Sequence, residues 1–102
     1  MTVLSTGPES RADRPSSAIL YDHADARIVG FHLLPGQRVA EHRTASTVTI
    51  HVTEGSGTFR GAGAASRLEA GQALVFAPDE MHAIGAGTEP LRFLAIITPR
   101  PA

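Results

Sequence analysis

Apolar residues fall in short runs, at roughly residues 18–21, 27–34, 38–43, 46–54, 57–60, 65–68, 72–77, 81–86 and 91–98. Turns rich in glycine and proline separate them. Short runs recurring about every 8–12 residues are the pattern of an all-β sandwich or barrel built from antiparallel strands. No window carries a 3.6-residue apolar stripe of helical length. The clearest strand is 47–53, where Val48, Ile50 and Val52 alternate with Thr49, His51 and Thr53. That alternation predicts one buried and one exposed face. The run "LRFLAIIT" at 91–98 is nearly continuous in apolar character and predicts a strand buried on both faces.

Punctuation fills in the rest. "GSGTFRG" at 55–61 reads as a hairpin turn; Arg60 stands where a phosphate-binding G-x-G-x-x-G would have its third glycine. "GAGAAS" at 61–66 reads as a loop or hairpin tip. Residues 1–16, rich in Ser, Pro, Asp and Arg, read as a mobile or loosely docked arm, and 17–102 as a single domain.

Composition narrows the chemistry. With 42% apolar and 19% charged residues the chain has an ordinary globular balance, neither disordered nor membrane-like. Net charge is −1, and the nine basic residues, all arginine, are scattered, which argues against nucleic-acid binding. The absence of lysine excludes Schiff-base chemistry and a P-loop. The absence of cysteine excludes disulfides, thiolate metal sites and a thiol nucleophile. The first residues carry no apolar signal segment and no run is long enough for a membrane helix, so the cytoplasm is the expected compartment.

Any metal must then be held by histidine nitrogen and by oxygen. Of the five histidines, His23 lies in a polar turn, and His32 alternates with Phe31 and Leu33, so it points outward or into a subunit contact. His42 ends the strand "RVAEH" and His82 follows "APDEM"; each comes a few residues after a proline, at a turn or strand start. These two are the candidates for a shared interior site.

The spacing around them resembles the cupin superfamily, small β-barrels of the jelly-roll type. The family's first motif runs G(X)5HXH(X)3-4E(X)6G; here Gly36, His42 and Gly55 fall in place. The second runs roughly G(X)5PXG(X)2H(X)3N; here Gly71 and His82 do. The resemblance covers about residues 27–99 and implies a jelly-roll barrel with a metal site. The departures bear on that site. Thr44 stands at the second histidine, Val48 at the glutamate, Asp79 at the second motif's glycine and Ala86 at the asparagine, while Pro78 is displaced by one. Of the implied three-histidine, one-glutamate set, His42 and His82 remain. His51 is a third candidate ligand, but alternation puts it opposite Val48, and only a β-bulge would bring it inward. Asp79 and Glu80 are placed to approach from the barrel mouth.

Three readings follow. In the first, a metal-dependent enzyme holds a divalent ion (Zn, Ni, Mn or Fe) through His42 and His82 and acts on a small organic molecule by oxygenase, isomerase or lyase/cyclase chemistry. In the second, a metal-free enzyme uses the same histidines as acid–base groups. In the third, the chain is a non-catalytic small-molecule binding or sensing module. Thr44, Val48, Ile50 and Phe76 are the expected pocket residues in each. A homodimer is expected, with the arm and strand 18–21 covering a partner's sheet edge.

Overall fold

The computed structural model describes residues 1–5 and 7–101, so Thr6 of the arm and Ala102 at the end of the domain lie outside it. The chain is all-β and antiparallel, as the short apolar runs require. Its strands are β1 (Ser16–His23), β2 (Ala26–Leu33), β3 (Arg38–His42), β4 (Thr47–Gly61), β5 (Ala64–Glu69), β6 (Ala73–Phe76) and β7 (His82–Thr98). No helix among the described residues is long and apolar enough to cross a membrane.

Two strands are much longer than the sequence pattern indicated. β4 joins the runs at 46–54 and 57–60, and β7 joins those at 81–86 and 91–98. Each belongs to two layers. The first half of β4 pairs with β6 and with residues 91–98 of β7, which in turn pair with β2, and β2 pairs with β1. The second half of β4 pairs with β5 and with residues 83–86 of β7, which pair with β3. Two facing sheets result, hinged where β4 and β7 cross between them.

The hinge corrects the expectation of a turn at 55–57. The chain does not reverse there. The register shifts between Val52 and Glu54 and again between Gly55 and Gly57, where residues 87–90 of β7 have no partners on β4. Such bulges flip the side-chain alternation. On β4, Val48, Ile50 and Val52 are buried before the bulge, and Gly57 and Phe59 after it. Gly55 has φ +72°, and a Cβ there would lie 1.8 Å from the carbonyl oxygen of Pro90, so only glycine fits. "GAGAAS" is the β4–β5 hairpin tip, as expected, with Gly61 paired to Ala64.

The core lies between the sheets. Phe59, Phe93, Leu33, Ile50, Leu91 and Val52 are its largest fully buried side chains. Each contributes about 1.5–3 kcal/mol by leaving water. Phe93 stacks on Phe31 with centroids 4.7 Å apart and meets Phe59 edge-on at 5.6 Å. The run 91–98 is not buried on both faces. Leu91, Phe93 and Ala95 are buried, while Arg92, Leu94 and Ile96 on the outer face are only half-buried.

The arm lies on its own sheet. The Pro8 carbonyl meets His32 Nδ1 at 3.3 Å, the Arg11 carbonyl accepts from Gln37 Nε2 at 2.7 Å, and Gly7 and Pro8 pack over Gly30. Strand 16–23 pairs with β2 of the same chain, so this segment covers the chain's own sheet.

Candidate functional site

His42 and His82 are forty residues apart in sequence and direct register partners on β3 and β7. The pairing skips a residue between Val39 and His42, and that bulge turns His42 to the same side as Val39. The loops behind the two histidines are tied together as well, because the Asp79 amide donates to the Thr44 carbonyl at 2.8 Å. Asp79 has φ +63°, the left-handed region that favours glycine, which accounts physically for the glycine of the cupin motif at this position.

The two imidazoles meet with centroids 4.2 Å apart and planes at 67°. His82 is buried, at 3% exposure, while His42 stays open to solvent. Phe76 stacks on His82, at 4.4 Å and 9°. Burial pushes the His82 pKa below the ordinary imidazole value, and the neighbouring His42 pushes the same way. A hydrogen bond to the Glu80 carbonyl and the Glu80 charge oppose the shift without reversing it.

Each ring is fixed through Nδ1. His82 Nδ1 lies 2.9 Å from the Glu80 carbonyl and His42 Nδ1 lies 2.9 Å from the Ala40 carbonyl. A carbonyl oxygen only accepts, so in both rings Nδ1 carries the proton. Nε2 is then a bare acceptor in the neutral form, and neither Nε2 has a protein partner among the described residues.

Both rings line a cavity of about 130 Å³ between the sheets. Phe31, Val48, Ile50, Phe93, Ala95 and Ile97 wall it from one sheet, and Val39 and Ile84 from the other. Thr44 and Pro101 complete the lining. Thr44 Oγ1 accepts from the Ser46 amide at 3.3 Å, which leaves its hydroxyl proton free to donate. The tail carrying Pro101 is held by Ser46 Oγ donating to the Pro99 carbonyl (2.7 Å) and by the Arg100–Asp22 ion pair.

The sequence-derived candidates sort cleanly. His42, His82, Thr44, Val48 and Ile50 all line the cavity. Phe76 does not; its ring is occupied in backing His82. His51 is exposed on the outer face of β4, because the bulge falls after Val52 and leaves the alternation at 48–52 intact. Asp79 and Glu80 do not reach into the site as ligands. The Glu80 carboxylate accepts from the Ala77 and Ala62 amides at 2.9 and 3.1 Å, and those bonds lower its pKa. Sequence reasoning missed Phe31, Val39, Ile84, Phe93, Ala95, Ile97 and Pro101. Ile84 was within reach, two residues beyond His82 on the same strand face.

Thus the four positions that the cupin motifs assign to metal ligands, 42, 44, 48 and 82, do line one cavity. The residues filling them do not fit the four-ligand set. No cluster of three or more His, Cys, Asp or Glu side chains suited to a metal occurs among the described residues. Catalytic sites generally supply at least three protein ligands.

The family model of the AraC-like ligand binding domain matches residues 29–102. The chain belongs to that family, within the cupin superfamily. Solved structures agree with this cupin in fold. A conserved protein with a double-stranded β-helix domain from Klebsiella pneumoniae is 26% identical with a TM-score of 0.81, over 93% of this chain and 84% of that one. An RmlC-like cupin from Desulfovibrio desulfuricans is 26% identical with a TM-score of 0.82, over 91% and 90%. A predicted oxalate decarboxylase from Thermotoga maritima is 24% identical with a TM-score of 0.82, over 96% and 99%. No curated protein matches the sequence.

Proposed function

We propose that this cupin is a binding module for a small organic molecule, which enters the barrel cavity and is held there by His42 and His82. The observation that carries this reading is a single apolar cavity whose polar groups are two anchored imidazoles and one threonine hydroxyl. Ligand sites generally combine apolar walls with a few fixed polar groups in this way. The family's description as a ligand-binding domain supports it. The metal-enzyme reading lacks a third histidine or carboxylate donor among the described residues. The acid–base reading has a neutral imidazole suited to taking a proton, but Glu80, the carboxylate nearest His82 in sequence, is engaged with backbone amides.

Binding of cyclohexanol, followed by equilibrium dialysis with and without EDTA, tests the proposal. Saturable binding is expected in both conditions. It is expected to disappear in Ala95→Phe, which fills the cavity from a buried wall position. Binding that appears only with added Zn²⁺, Ni²⁺, Mn²⁺ or Fe²⁺ would replace this reading with the metal-dependent one. Binding unaffected by Ala95→Phe would move the ligand elsewhere.

A further inference from the structure

Resting on the binding-module reading, we infer that the ligand is a neutral, hydroxyl-bearing compound with a compact apolar body, a phenol or small cyclic alcohol in class. Two backbone carbonyls, of Ala40 and Glu80, fix the proton of each imidazole on Nδ1. Both rings line the cavity, and in each Nε2 is the ring nitrogen left without a protein partner among the described residues. Neither acceptor is sealed from solvent in the free protein; a ligand that covers them without a donor leaves them unpaired at a cost, so the complementary ligand brings an O–H or N–H donor.

The threonine sharpens the choice. Thr44 Oγ1 accepts one bond from the Ser46 amide and keeps its O–H to donate, with a second lone pair still able to accept. A hydroxyl both donates and accepts, and so answers the imidazoles and Thr44 together. An ether or ketone can only accept, and an ammonium can only donate.

Charge and size follow from the walls. Phe31, Val48, Ile50 and Phe93 offer no counter-ion, so a carboxylate entering among them loses its hydration without compensation from the walls. An apolar cavity of about 150 Å³ accommodates a benzene ring. At about 130 Å³, this one takes a body of roughly that size.

The test compares phenol, toluene and anisole by protein-observed NMR titration, with ¹⁵N imidazole spectra recorded on the free protein. Toluene matches phenol in heavy atoms and is the more hydrophobic of the two. Phenol is expected to bind about fivefold to tenfold more tightly than either. The preference is expected to vanish in His82→Phe, which keeps a ring against Phe76 and removes the acceptor, and to shrink in Thr44→Val. The imidazole spectra are expected to show both rings protonated at Nδ1, a readout that needs no variant to fold. Equal binding of the three probes, or a proton on Nε2 of His82, would overturn the inference and leave the binding module standing. No shift at Ile50 or Ala95 with any probe would overturn both.

Discussion

At the scale of the residue, the account turns on His82. It is buried against Phe76 and His42, with Nδ1 committed to a carbonyl. Its pKa is depressed in the fold, so between the ordinary imidazole value near 6.5 and its lower folded value the unfolded chain binds the extra proton. Stability contributed by the neutral ring is thus fully present above pH 6.5 and falls away as the pH drops through the folded pKa. Urea unfolding at pH 7.5 and pH 5 is expected to show a loss of stability in the parent and a smaller loss in His82→Phe. A parent equally stable at both would contradict the burial argument. The histidine pair was legible in sequence because two glycine-to-histidine spacings agreed. The proton positions were not, since they depend on which carbonyls the folded backbone brings to each ring.

At the scale of the element, β4 and β7 do most of the positioning. Both cross from one sheet to the other, and the bulge in each reverses which face is buried. Reading Gly55-Ser56-Gly57 as a turn was reasonable from composition. What distinguishes a turn from a bulge is whether the chain reverses, and that is decided by pairing with β7. The bulge also fixes His51 outside: had it come before Val48, His51 would face the cavity. Gly55→Ala is expected to cost at least about 3 kcal/mol, because the φ of +72° and the Pro90 carbonyl both oppose a side chain. Gly63→Ala, at φ +74° but with open space around it, is expected to cost only about 1 kcal/mol. Comparable losses in urea unfolding would place the strain in the backbone alone and remove the role given to the close approach.

At the scale of the whole molecule, the fold was legible and the cavity only partly so. Alternation at 47–53 put Val48 and Ile50 inside, and the resemblance put Thr44 with them. Phe93, Ala95 and Ile97 were hidden because "LRFLAIIT" is apolar at nearly every position, so no periodicity says which half turns inward. Val39 was hidden by the bulge before His42, and Pro101 because the tail's return to the cavity carries no periodic signal. Together the sheets place a glutamate-to-valine and a histidine-to-threonine departure from the cupin motifs on the walls of one chamber, which makes it drier than the metal site the motifs describe. The central claim is that this chamber holds the ligand, and isotope-filtered NOE spectroscopy of the protein saturated with cyclohexanol tests it most directly. The account predicts NOEs from the ligand ring to the methyl groups of Val48, Ile50 and Ala95. NOEs confined to an exposed side chain such as Val75 would contradict it.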